Sequence, residues 1–276
     1  MRLALCNEVL RELPFEEQCE LAAELGYDGL ELAPFLFSDD PHRLPPARRA
    51  QIREAARNAG IEISGLHWLL VKPEGLSITT TDAAVRRRTL EVLRGLIELC
   101  AELGGHVLVH GSPKQREIPE GCSPDEAWAR AQGVFEELAE TARKMGVTYC
   151  IEPLSRHETA FINTLAEAAR MVDAIDNPGF RTMIDTSAAG LTEDTPVPSL
   201  IRRWIPTGKA VHIQLNDTNR RAPGQGEDDF PAILSAIKES GYGGVLAVEP
   251  FIYRPNGPSV AARAVGYVRG IWETLP

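Results

Sequence analysis

Two spacings of apolar residues alternate along the chain. Short runs of β-favouring residues give way to longer stretches in which apolar positions recur every three or four residues. The first strand is expected over Leu3–Asn7, and an amphipathic helix over Phe15–Leu25 is stopped by Gly26. Gly29–Ala33 forms the second strand, closed by Pro34, and a helix over Pro45–Ala59 ends at Gly60. Ile61–Leu70 is the third strand; after a long loop, Val71–Thr81, a strong helix covers Asp82–Leu103. The fourth strand is His106–His110, followed by a charged, proline-rich loop (Lys114–Pro124) and a helix over Asp125–Lys144. Val147–Leu154 gives strand five, and Thr164–Ile175 a helix with Glu167 at capping-box spacing from Thr164. Strand six is Phe180–Thr186, followed by a short helix, Val197–Ile205. Strand seven, Ala210–Leu215, precedes a polar, turn-rich loop, Asn216–Gly226, expected to act as a mobile lid. Phe230–Ser240, Val245–Val248 and Pro258–Glu273 complete the series as helix, strand and helix.

Apolar strands alternating with helices imply a parallel sheet covered on both faces. Eight such units, with no linker or break in composition, predict one domain over residues 1–276: an α/β fold of the (β/α)8 TIM-barrel type. An open, doubly wound sheet is the alternative, but the turn after strand one, Cys6-Asn-Glu-Val9, lacks the glycines that fold uses.

Three strands share an ending. Strand five runs into Glu152 and Pro153, strand six into Asp185, and strand eight into Glu249 and Pro250. Proline cannot donate to a sheet ladder, so strands five and eight stop there and leave their acids at the C-terminal mouth. That is the end of a barrel at which functional groups gather.

Composition narrows the choice of partner. The net charge is −10, without the clustered Lys and Arg of a phosphate-backbone surface, so no nucleic acid is expected. No apolar run approaches the roughly 20 residues of a membrane span, and the first residues show no signal peptide. The five cysteines are scattered, with no CxxC spacing, and read as reduced thiols of a cytoplasmic protein.

The strand ends deliver, in order, Asn7, Glu31, His67, His110, Glu152, Asp185, Gln214 with His212 two before it, and Glu249. Glu31 reads as a rim charge or as a partner of another site residue, ahead of a catalytic role. His67, His110 and His212 read also as hydrogen-bonded barrel histidines, and Trp68 as a pocket wall. The three carboxylates at the ends of strands five, six and eight resist such a reading, because unpaired buried charge is strongly disfavoured. A divalent cation removes the difficulty. Three carboxylates and the amide oxygen of Gln214 make an all-oxygen shell that suits one Mn2+ or Mg2+ and disfavours zinc.

The segments Gly26-Tyr-Asp-Gly-Leu-Glu31, Glu152-Pro-Leu-Ser-Arg-His-Glu158, Met183-Ile-Asp185, His212-Ile-Gln-Leu-Asn-Asp-Thr-Asn-Arg220, Pro223-Gly-Gln-Gly226 and Val248-Glu-Pro250 carry a resemblance. Over nearly the whole chain the sequence resembles the xylose-isomerase-like barrels of sugar (phosphate) isomerases and epimerases, ketose 3-epimerases and hydroxypyruvate isomerases above all. The resemblance implies that Glu152, Asp185, Gln214 and Glu249 hold the metal and that Glu152 and Glu249 are the acid–base pair. It places Glu158 and Arg220 on substrate, with His67, His110 and Trp68 as further candidates for that role. Two positions depart from the pattern: Gln214 stands where the epimerases usually have histidine, although the hydroxypyruvate isomerase branch is similar to this chain in using glutamine, and Ala188 stands where many members have a histidine.

The expected activity is metal-dependent isomerisation or epimerisation of a small sugar or sugar phosphate, by proton transfer through a metal-bound cis-enediolate. A lyase or dehydratase acting on a keto-sugar, an endonuclease-like phosphoesterase and a non-catalytic sugar binder are the alternatives. A homo-oligomer is left open.

Overall fold

The computed structural model describes residues 1–276. Eight parallel strands close on themselves in sequence order: β1 (Arg2–Cys6), β2 (Gly29–Leu32), β3 (Glu62–Leu66), β4 (Val107–His110), β5 (Thr148–Ile151), β6 (Phe180–Asp185), β7 (Ala210–Leu215) and β8 (Val245–Val248). Around them lie α1 (Phe15–Leu25), α2 (Pro46–Ala59), α3 (Ala83–Leu103), α4 (Pro124–Met145), α5 (Leu165–Ile175), α6 (Thr186–Thr192), α7 (Val197–Trp204), α8 (Phe230–Glu239) and α9 (Gly257–Thr274). This is the expected TIM barrel. No helix is long and apolar enough to cross a membrane.

Local chemistry sets the helix ends. Ser123 with Glu126, and Thr164 with Glu167, form reciprocal capping boxes at the starts of α4 and α5. Gly104 closes α3 in the left-handed conformation at φ 87°, which a side chain would resist. The structure adds an element that periodicity did not suggest. Asp185 ends β6 and caps the next helix, its Oδ1 accepting from Ala188 N at 2.7 Å, so α6 starts without a connecting loop. Strands three and five are also shorter than expected, because the chain leaves the ladder where His67 and Glu152 turn into the mouth.

Side chains alternate across each strand, so the barrel divides the core. The outward set, 68 buried apolar residues, packs between sheet and helices. Burial of this set dominates stability, at about 1.5–3 kcal/mol for each large apolar side chain. The inward set is of two kinds. Val107, Val109, Cys150 and Met183 make a small apolar cluster on the side of β4, β5 and β6. Across from it stand buried Glu31, Ser64, His67, His212 and Gln214. The barrel therefore has one dry wall and one polar wall.

The loop expected as a mobile lid is tied down. Asp217 N donates to Arg221 O (2.8 Å), Arg220 N to Asp217 O (2.7 Å) and Thr218 N to Asp228 Oδ2 (2.7 Å). Arg263 on α9 donates to Gly224 O at 2.6 Å, and Gly224 lies against the Tyr267 ring of the same helix.

Strands β3 and β4 approach so closely that a Cβ at Gly65 would collide with the Val107 carbonyl. Gly65→Ala is expected to destabilise the protein by about 1–3 kcal/mol. Thermal unfolding of the variant measures this, and an unchanged midpoint would show that the two strands can part.

Candidate active site

Glu152 and Glu249 follow the last residues of β5 and β8, and Asp185 is the last residue of β6. All three are buried, at 6%, 4% and 3% exposure. One carboxylate oxygen from each lies within 4.8 Å of the others. The structure thus brings together the three acids that the sequence placed on separate strands.

Their neighbours explain their charge state. Burial, then the adjacent Asp185, pushes the Glu152 carboxyl well above the ordinary carboxylate range. Burial and Glu152 do the same to Glu249. Burial raises Asp185 to about 7, against the opposing hydrogen bonds from Ala188 N and Asn216. Three acids so placed cannot all ionise without a cation.

Gln214 lies beside Asp185 in register and is fully buried. Its Nε2 donates to Glu31 Oε1 at 2.8 Å, while its Oε1 has no partner. A buried orphan oxygen on a strand between Asp185 and β8, together with three crowded carboxylates, fits a hard divalent ion. A second grouping of possible ligands, Cys6, Glu8, His67 and Glu249, shares Glu249 with the first. In that grouping His67 Nε2 and Glu8 Oε2 already satisfy each other at 2.8 Å.

A cavity of about 190 Å3 opens over the acids. His67, Trp68, Glu158 and Arg220 line it, as do Glu152, Asp185 and Glu249. Arg220 lies 3.8 Å from Glu158 and 4.6 Å above the Phe251 ring, which meets Trp68 edge-on at 6.2 Å. Trp68 (φ 53°) and Arg220 (φ 66°) both hold left-handed backbone, a strained conformation for such residues. Strain of this kind persists where surrounding contacts over-determine it, and it concentrates at binding sites.

His110 requires a correction: it is not a cavity residue. Val109 takes the inward position at the end of β4, so His110 points outward, its Nδ1 2.5 Å from Tyr149 Oη and its ring edge-on to Phe135. Burial, with Arg116 nearby, depresses its pKa well below that of a free imidazole. A one-residue shift in the register of β4 would have reversed the two roles.

Four contributors were missed. Asn216 donates from Nδ2 to Asp185 Oδ2 (2.8 Å) and to Glu249 O (3.0 Å), bridging two of the acids. It stands two positions after Gln214, so strand periodicity could have found it. Arg116, in the charged, proline-rich loop after β4, is fully buried, donating to Glu152 O at 2.6 Å and to His110 O. Nothing in its sequence context signals this. Gly111 gives Glu152 its space, since a Cβ there would collide with that carboxylate. Glu8, in the turn after β1, steadies His67.

Comparison with known proteins follows the same lines. The model of the xylose isomerase-like TIM barrel family matches residues 19–271. The D-psicose 3-epimerase of Agrobacterium fabrum is 28% identical over 241 residues, 86% of this chain and 80% of that protein. The fructoselysine 3-epimerase of Shigella flexneri is 25% identical over 265 residues, 92% of this chain and 91% of that protein. A crystal structure of D-psicose 3-epimerase in the presence of D-fructose superposes with a TM-score of 0.84 at 22% identity, covering 99% of each chain.

The raised carboxyl pKa values set a sign for stability against pH in ion-free protein. Unfolded carboxyls titrate near 4, whereas Asp185 holds its proton to about 7 and Glu152 and Glu249 also titrate above the ordinary range. Folded protein then retains protons that the unfolded chain releases. Their contribution is full below about pH 4 and is lost as pH rises through about 7. His67, raised overall by Glu8 and Glu31 against its burial, acts in the same direction. With a chelator present, the melting temperature is expected to fall between about pH 5 and 8, and Mn2+ should restore it at the upper end. A flat chelator profile across that window would contradict the crowding described here.

Proposed function

The chain belongs to the xylose isomerase-like TIM barrel family, and on that premise we propose that it is a divalent-metal-dependent isomerase that epimerises or isomerises a small, unphosphorylated ketose. The carrying observation is the convergence of Glu152, Asp185 and Glu249 beneath a cavity of monosaccharide scale. The relatives named as ketose 3-epimerases support the same reaction class.

Glu152, Asp185, Glu249 and the oxygen of Gln214 would hold one ion, Mn2+ or Mg2+ by the chemistry of the donors. Once bound, such an ion supplies Lewis acidity to a carbonyl and its neighbouring hydroxyl, acidifying the C–H between them. The side chains do the rest. Glu152 and Glu249, reaching the mouth from β5 and β8, face the reacting carbon from different strands. One carboxylate removes its proton, giving a cis-enediolate, and the other returns a proton to the opposite face, which inverts the centre. Return of the proton to the adjacent carbon gives the aldose–ketose isomer instead.

Charge argues against a phosphorylated substrate. The cavity lining carries four acids, Glu152, Glu158, Asp185 and Glu249, against a single arginine. That arginine, Arg220, is already beside Glu158 and stacked on Phe251. The aromatic pair Trp68 and Phe251 offers an apolar wall for the C–H face of a sugar, and Glu158 with Arg220 offers hydrogen bonds to its hydroxyls.

A screen of ketoses in D2O with Mn2+ present tests the reading. Deuterium should enter the carbon next to the carbonyl, and Glu152→Gln and Glu249→Gln should each reduce that exchange by about 10²- to 10⁴-fold with the fold retained. Exchange at the wild-type rate in either variant would remove that residue from the acid–base role.

A further inference from the structure

Gln214 offers an oxygen or an NH2 group according to which way its amide is turned, and only the oxygen can bind a cation. Something must hold the amide in one sense. We infer that Glu31 is the positioning residue that turns the Gln214 amide, fixing its NH2 group inward and its oxygen toward the ion site. The inference rests on the proposed metal site but concerns a residue outside it.

Three observations carry it. Glu31 is fully buried on β2, across the barrel from Asp185, and its Oε1 accepts from Gln214 Nε2 at 2.8 Å. The Cys6 thiol also donates to Oε1 at 3.8 Å, and the other polar side chains beside the carboxylate are histidines: His212 Nε2 lies 2.9 Å from Oε2 and His67 Nδ1 3.7 Å from Oε1, close enough for charge attraction when protonated but out of hydrogen-bond alignment. An ionised carboxylate only accepts hydrogen bonds. Turning the Gln214 amide over would set oxygen against oxygen in a buried setting, at a penalty water cannot relieve. The complementary sign is present as well, because the Gln214 oxygen, also buried, is left without any partner.

Glu31 therefore acts on the ion through Gln214. Partners that orient metal ligands in this way commonly change affinity by about 10- to 100-fold. Conversion of Glu31 to an amide removes the constraint, since a glutamine side chain there could either donate or accept and both orientations of Gln214 would then be tolerated. A carboxylate at position 214 presents oxygen whichever way it turns, but it would repel Glu31. The two sites are thus matched as acceptor to donor, and the match can be exchanged.

The test is titration of the full, metal-stripped chain with Mn2+, following free ion by electron paramagnetic resonance, with thermal unfolding as the check on folding. Glu31→Gln is expected to weaken Mn2+ binding by about 10- to 100-fold, and Gln214→Glu alone should also weaken it. The double variant, Glu31→Gln with Gln214→Glu, should recover to within a few-fold of wild type. A purely structural role for Glu31 would predict no such recovery. Wild-type affinity in folded Glu31→Gln, or a double variant no better than the worse single one, overturns the inference while leaving the metal site in place. Failure of the wild-type chain to bind Mn2+ would instead overturn the cofactor reading, and this inference with it.

Discussion

Repulsion among three carboxylates in a space with little water is the constraint on which the rest of this site depends. Glu152, Asp185 and Glu249 are delivered there by strand ends that the barrel cannot rearrange without breaking its ladder. The surroundings answer that repulsion piecemeal. Asn216 ties Asp185 to the backbone beneath Glu249, and Ala188 N takes the other Asp185 oxygen. Arg116 places a buried cation behind Glu152, where burial lowers its own pKa to about 10 and Glu152 pulls it back up. None of these contacts neutralises three charges. They fix the directions of the carboxylates and leave the charge to be met by whatever binds at the mouth.

The interior of the barrel is divided to the same end. Val107, Val109, Cys150 and Met183 exclude water from one side, which strengthens every electrostatic interaction nearby. The opposite wall carries Glu31, hydrogen-bonded by Gln214 and Cys6 and flanked by His67 and His212, a polar cluster in place of an apolar filling. Such clusters are stable only when their members find partners, and the oxygen of Gln214 has none within the protein.

Much of this was legible in the chain before any coordinates. Eight apolar runs alternating with amphipathic helices could close in few ways, and the acids before Pro153 and Pro250 follow directly on apolar runs, which places them at the ends of strands five and eight. What escaped was what depends on phase and depth. Whether Val109 or His110 faces the mouth turns on the register of β4 in the barrel, and periodicity does not fix that. Arg116 sits among proline and charged residues that look solvated, and only tertiary packing buries it. Asp185 was found as an acid, but its second task of starting α6 was not, because a strand running directly into a helix leaves no loop signal.

The segment between β7 and α8 is riveted to the C-terminal helix through Gly224, Arg263 and Tyr267, and it carries Arg220. Segmental swinging there would break those contacts. Leu191, 45% exposed, stands at the edge of the cavity. The last helix becomes part of the doorframe, since its Arg263 and Tyr267 hold the segment on which Arg220 enters the cavity.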